Sequence, residues 1–329
     1  MAIRIAQFCT ALLPVVFALD VGHAAAASGD RYPARPIRFI VPTAAGGSTD
    51  LVARTVAQRV SESLGQQVIV DNRPGSGGII GTEMVAKAAS DGYTLVMATI
   101  GSVAISPHLH ARLGYDPLSD FAPVTQLAAA AYMLVTHPSV PAGTVKELVA
   151  FARAKPGQLN YASAGNGTGS HLSAELFKSV AQVSIVHVPY KGGTPGLTDL
   201  IAGNVQVMFN GIPSSVPHLK TGRIKAFAVT TPARSPAAPE LPTMGEAGYP
   251  GAESTSWTGV LAPAGTPQAV IARLHDEFVK AVLHPEVKMR LSADGAVPVG
   301  STPAQFAQYI KSELVKWGAV VRASGAKAN

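Results

Sequence analysis

The chain has 329 residues, enough for two ordinary domains or one large one, and 47% of them are hydrophobic against 14% charged. With 32 Gly and 25 Pro the composition is globular and rich in loops, which excludes disorder, coiled coil and collagen. The formal net charge is +6, yet no block of consecutive basic residues could track a phosphate backbone, so nucleic acid is not an expected partner.

The first element in chain order is a leader. Arg4 precedes an apolar run over residues 5–19, and His23-Ala24-Ala25-Ala26-Ala27 supplies the small side chains of a cleavage site. Residues 1–27 are therefore expected to be a secretory signal peptide. The alternative, a membrane anchor, is disfavoured because Gln7, Thr10 and Pro14 interrupt a run that falls short of the roughly 20 residues a span needs. Cys9 is the only cysteine, so the mature chain is expected to hold no disulfide, thiol nucleophile or Cys-ligated metal. No later apolar run is long enough to span a membrane.

After the leader, short β-branched runs alternate with longer amphipathic stretches, the βαβ pattern of an α/β protein with mostly parallel sheets. Residues 37–41 read as the first strand, and Ser48 caps a helix whose Leu51, Val52, Val56 and Val60 recur at helical spacing up to Leu64. Residues 67–70 read as the second strand, the turn over 71–78 leads into a helix carrying Ile79, Ile80, Met84 and Val85, and 93–98 read as the third strand. A second unit begins with a strand at 132–136 and a helix from the capping box of Thr144 and Glu147 to Ala154. Strands at 159–163, 184–188 and 205–209 then alternate with helices at 171–180 and 197–202. The chain continues through a Pro-rich loop over 231–251, a strand at 258–262 and helices at 268–283, 285–291 and 303–321.

The two units share a plan: strand and glycine loop, strand and Pro/Gly turn, strand. On its own this could be the ordinary recurrence of βαβ units. Its functional reading is two lobes facing one cleft, since ligands of open α/β sheets sit beyond the carboxyl ends of the strands.

The common signatures of hydrolysis and of nucleotide or metal binding are missing: no H-E-x-x-H, G-x-S-x-G, P-loop or EF-hand occurs. Gly165-x-Gly167-x-Gly169 departs from dinucleotide spacing, and His108-Leu109-His110 reads either as two metal ligands lacking a third or as a solvated loop pair. What stands out is anion capture by backbone. Ala44-Ala45-Gly46-Gly47 and Gly165-Asn166-Gly167-Thr168-Gly169 each precede a helix, where N–H groups and the helix dipole favour a carboxylate or phosphate, and Ser163 and Thr168 add hydroxyls. Tight turns without a ligand are the alternative. Asp50 reads as a complement to the helix dipole.

Tyr32-Pro33-x-Arg35-Pro36-Ile37, Val41-Pro42-x-x-x-Gly46-Gly47-x-x-Asp50, Asp71-Asn72-Arg73-Pro74-Gly75-x-Gly77-Gly78 and Asp91-Gly92-Tyr93-Thr94-Leu95 occur in that order. Ala162-Ser163-x-Gly165-x-Gly167-x-x-x-His171-Leu172, Val188-Pro189-Tyr190-Lys191-Gly192, Arg234-Ser235-Pro236, Leu241-Pro242-Thr243 and Glu246-Ala247-Gly248 follow. Together these motifs resemble the Bug receptors, the extracytoplasmic solute-binding proteins of the tripartite tricarboxylate transporter family.

The resemblance implies a two-lobed, Venus-flytrap periplasmic-binding-protein architecture with no enzymatic activity and no cofactor, expected to act as a monomer. It would close on a small organic carboxylate and hand it to membrane permease subunits. Lobe 1 would comprise residues 28–128 and 254–329 and lobe 2 residues 129–253, with the hinge near 126–131 and 251–256. The ligand-binding residues it implies are Thr43, Ala44, Ala45, Gly46 and Gly47 from one lobe and Ser163, Gly165, Asn166, Gly167 and Thr168 from the other. His171 and Tyr190 match the pattern nearby as ligand contacts or as braces of the cleft.

Two departures bear on the ligand. Thr43 stands where family members often carry Phe, and Asn210-Gly211-Ile212-Pro213 stands where many carry Asp-Asn-Leu-Pro. As a ligand contact, Asn210 would favour neutral or hydroxylated groups over an ammonium; it reads equally as a turn residue before Gly211. Presentation of the loaded protein to a sensor, or a secreted enzyme using Ser163 with His171, are the competing functions.

Overall fold

The computed structural model describes residues 32–190, 192–293 and 295–324; the expected signal peptide, Cys9 and Lys191 lie outside the described residues. In chain order, β1 (Ile37–Val41), α1 (Ser48–Leu64), β2 (Val68–Asn72), α2 (Ile79–Ala86) and β3 (Thr94–Thr99) form the first unit. A π-helical turn, Gly101–Ile105, and the short helix α3 (Ser106–Leu109) lead to β4 (Phe121–Thr136), then α4 (Val145–Ala154). The second unit is β5 (Asn160–Ser163), α5 (Gly169–Ala181), β6 (Val186–Pro189), α6 (Gly193–Ala202) and β7 (Val207–Gly211). α7 (Ile212–Lys220), β8 (Lys225–Val229), β9 (Thr255–Pro263), α8 (Gln268–Val282), α9 (Pro285–Ala293), β10 (Ala296–Pro298) and α10 (Pro303–Ser324) complete the order.

Local chemistry explains the sharpest boundaries. Val52, Val56 and Val60 bury one stripe of α1, and Gly65 ends the helix at φ 65° with its N–H on the Ser61 carbonyl. That stripe packs beneath α8, where the Phe39 and Phe278 rings meet edge to face at 5.6 Å. Burial of each such side chain contributes about 1.5–3 kcal/mol. Thr144 caps α4 by accepting from the Glu147 N–H at 3.2 Å, as its capping-box spacing predicts.

Each unit places its first strand in the middle: β2-β1-β3 in one and β6-β5-β7 in the other, all parallel. The repeated plan is therefore a repeat of topology as well as of element order. It sets β1 and β5 at switch points, where helices on either side leave a crevice beyond the strand ends. The antiparallel pairs all involve β4 or β9.

The 16-residue β4 joins the sheets. It runs beside β9 from Phe121 to Ala131, then pairs with β7 from Tyr132 and with β8 from Met133. The chain returns at Ser254, whose N–H bonds the Thr230 carbonyl at 2.8 Å, just before β9 begins. From Pro33 onward the described residues form one compact unit, and among them no helix is long and apolar enough to cross a membrane.

Candidate functional site

A cavity of about 430 Å³ opens beyond the carboxyl ends of β1, β5, β6 and β7. Four helices begin at its wall: α1 through Gly47 and Ser48, α5 through Thr168 and Ser170, α6 through Gly193 and Thr194, and α7 through Gly211 to Ser214. The first turn of any helix leaves N–H groups outside the i−4 ladder, and each N-terminus carries roughly half a positive charge. No charged side chain occurs among the described residues of the lining. What the described lining offers a ligand is therefore backbone and neutral hydroxyls. A second cavity of about 290 Å³ near α1 and α8 is lined by Arg59, Glu62, Glu277 and Lys280, and there Arg59 and Glu62 pair with each other at 2.6 Å.

The loop after β1 is held from beneath. Asp50, 2% exposed, accepts from the Gly46 N–H, Arg54 Nε and Asn72 Nδ2, each at 2.9 Å, and Asn72 Nδ2 also donates to the Thr43 carbonyl at 3.1 Å. Burial pushes the Asp50 carboxyl up, but the bonds from Arg54, Gly46 and Asn72 outweigh it and hold the group below the usual carboxylate range. Asp50 is thus a bracket for the loop, beyond a dipole partner. Gly46, at φ 81°, and Gly47 line the cavity, but the Gly46 N–H is committed to Asp50. Ala44 and Ala45 are exposed outside the lining, and Thr43 Oγ1 is buried without a hydrogen-bond partner.

The glycine loop after β5 is largely self-satisfied. Ala164 N–H donates to Ser170 Oγ at 2.9 Å, Gly165 N–H to Ser163 Oγ at 3.1 Å, Thr168 N–H to the Gly165 carbonyl at 3.3 Å and Gly167 N–H to His171 Nδ1 at 3.1 Å. Of the residues expected to bind ligand here only Thr168 lines the cavity, joined by Ala164 and Ser170. Ser163, Gly165, Asn166 and Gly167 lie behind it, and Gly167 packs under Leu109, whose Cδ1 is 2.7 Å from where a Cβ would sit.

His171 is a brace. Its ring stacks on His187 at 4.1 Å, and His187 stacks on Tyr161 at 4.7 Å. Ser163 Oγ bonds His187 Nε2 at 2.6 Å, so the serine pairs with His187 and not with the His171 that the competing enzyme reading would require. Burial, reinforced by the Lys178 cation, pushes His171 down to about 4. Burial, and then the neighbouring His171, push His187 down to about 4 as well. Tyr190 also lies outside the lining: its hydroxyl donates to Asp199 Oδ2 at 2.6 Å, and burial together with that carboxylate pushes it up to about 12.

Asn210 does reach the cavity, 6% exposed at the end of β7. The sequence reading missed Ser48, Tyr132, Thr194, Ser214 and Ser256, which complete the polar lining. Four of the five are Ser or Thr, and three of these follow a glycine into the first turn of a helix, a pattern visible in the sequence. His108 is committed to the Leu314 carbonyl through Nε2 at 2.8 Å, and no group of three metal-ligating side chains occurs among the described residues.

The sequence profile of the tripartite tricarboxylate transporter family receptor matches residues 52–326. The chain belongs to that family. BugT of Bordetella pertussis is 39% identical over 321 residues, covering 97% of this chain and 98% of BugT. A solved periplasmic transporter superposes with a TM-score of 0.82 at 40% identity, over 91% of this chain and all of that one. Rpa4515 of Rhodopseudomonas palustris, solved with adipate, has a TM-score of 0.82 at 38% identity, covering 90% of this chain and 99% of its own. MatC of the same organism, solved with malate, has a TM-score of 0.79 at 34% identity, covering 88% and 100%. Two of these solved relatives thus hold dicarboxylates.

Proposed function

We propose that this receptor captures a small carboxylate in the cavity between β1 and β5 to β7 and delivers it to a permease of the tripartite tricarboxylate type, without chemical change to the ligand. The convergence of four helix N-termini on a cavity with no charged side chain among its described lining residues carries the reading. A carboxylate there meets several N–H donors and hydroxyls at once, while a neutral or cationic ligand leaves those donors without charge complementarity. Adipate and malate in Rpa4515 and MatC support a small dicarboxylate as the ligand class.

In this reading residues 1–27 export the chain to the periplasm, where it acts as a monomer. Residues 28–128 and 254–329 form one lobe and 129–253 the other, moving about 126–131 and 251–256. The partner change of β4 between Ala131 and Tyr132 supports that boundary. The ligand favours closure because its contacts come from both sides of it: Gly47 and Ser48 on one, Thr168, Ser170, Thr194 and Asn210 on the other.

A thermal-shift screen of residues 28–329 against mono-, di- and tricarboxylates, aromatic acids, acidic amino acids and phosphate tests this. At a hundred times its dissociation constant the ligand adds about 2.7 kcal/mol, a clear rise in melting temperature. The rise should disappear in Gly47→Leu, whose backbone tolerates a side chain at φ −80° and whose added bulk sits at the cavity wall. A screen in which only uncharged or cationic compounds raise the melting temperature contradicts the proposal.

A further inference from the structure

We infer that Asn210 makes the cavity selective for carboxylates that also carry an uncharged hydrogen-bond donor, a hydroxyl or an amide; this deepens the carboxylate reading above and rests on it. The side-chain amide of Asn210 is oriented by its neighbours. Nδ2 donates to Ser214 Oγ at 2.9 Å and to Ser215 Oγ at 3.0 Å. Both hydroxyls in turn donate to the Gly211 carbonyl, at 3.1 and 2.9 Å, so each offers the amide only a lone pair. With both hydroxyls donating to Gly211, the amide nitrogen faces the serines of α7.

Oδ1 then points the other way, toward α6. It lies 3.4 Å from where a Cβ on Gly193 would stand, and Gly193 lines the cavity beside Asn210. Among the described residues nothing donates to it, although Asn210 is only 6% exposed. Oδ1 is thus an acceptor at the cavity wall with no donor among the described residues.

Each kind of ligand group meets that acceptor differently. A second carboxylate would set lone pair against lone pair, and an apolar terminus would leave Oδ1 desolvated and unpaired. An ammonium would find no counter-charge among the described lining residues. A hydroxyl or amide N–H satisfies Oδ1 without needing one, and a site built to bond a ligand donor rejects the analogue that lacks it.

Calorimetric titration of residues 28–329 with matched pairs tests the inference: succinate and malate, glutarate and 2-hydroxyglutarate, butyrate and 4-hydroxybutyrate, glutarate and its monoamide. The donor-bearing member of the best pair is expected to bind about tenfold tighter, the worth of one hydrogen bond to a buried acceptor. In Asn210→Leu the ratio within each pair should collapse toward unity. Asn210→Asp lets the two serine hydroxyls turn and donate to it, so it keeps the test alive if the Leu variant fails to fold. In that variant preference should pass from malate to aspartate. Equal binding within every pair, or a ratio that survives both substitutions, overturns the inference and leaves the carboxylate reading standing. Absence of heat with every carboxylate overturns that reading, and the inference with it.

Discussion

Asp50 takes three donors at once, from a glycine N–H, a guanidinium and an amide, and shapes the anion loop without lining the cavity. Removing its carboxylate leaves the Gly46 N–H and one bond of Asn72 unmet beneath the loop. Asp50→Ala should therefore lower stability by about 1–3 kcal/mol and weaken carboxylate binding about tenfold, read by urea denaturation and calorimetry. Unchanged affinity would mean the loop holds its shape unaided. The imidazole pair behind the second loop sets a pH dependence. His171 is lowered to about 4 from an ordinary 6.5, so the unfolded chain binds more protons between those values and acid favours unfolding. Its contribution is complete above about pH 6.5 and is lost as pH falls to about 4, on the order of 3 kcal/mol from this group. Denaturation midpoints at pH 7 and 4.5 should differ accordingly, and less so in His171→Gln, which keeps an acceptor for the Gly167 N–H but does not titrate.

Elements meet the site through close approach. The N-terminus of α5 comes against Tyr132 of β4, whose hydroxyl occupies the space a Cβ on Gly169 would take, with Ile100 Cγ2 at 3.3 Å on another side. Gly169→Ala should thus cost about 1–3 kcal/mol, and the loss should shrink in the Tyr132→Phe background, a coupling that a double-mutant cycle reads. Additive losses would mean that the hydroxyl is not what excludes the methyl.

The same scale shows what the sequence could reveal. Both βαβαβ units were legible because α1 and α5 carry local periodicity and caps. Within β4 only residues 132–136 were, because Pro123 and the alanines of 128–131 carry no strand signal until β9 and β10 pair with them. Pro213 and Pro217 hid α7, although Pro213 sits in its first turn, where a missing N–H is harmless. The glycine loops were legible as helix starts. Their internal bonding was not, since the acceptors His171 Nδ1 and Asp50 Oδ2 lie a helical turn beyond the donors they satisfy. Tyr132 and Ser256 reach the cavity only because β4 and β9 cross between units there, a tertiary fact without a local signature.

For the molecule as a whole, two topologically matched units joined by β4 and β9 bring four helix starts onto one cavity whose described lining residues carry no charge. In the proposed function, negative charge on the ligand is the feature the site recognises. The most direct measurement is calorimetric titration of residues 28–329 with adipate and malate alongside their dimethyl esters, which keep the carbon skeleton and remove the charge. One-to-one binding of a free acid, with no detectable heat from its ester, is the predicted result. An ester that binds as tightly as its acid would contradict an anion site built from helix N-termini.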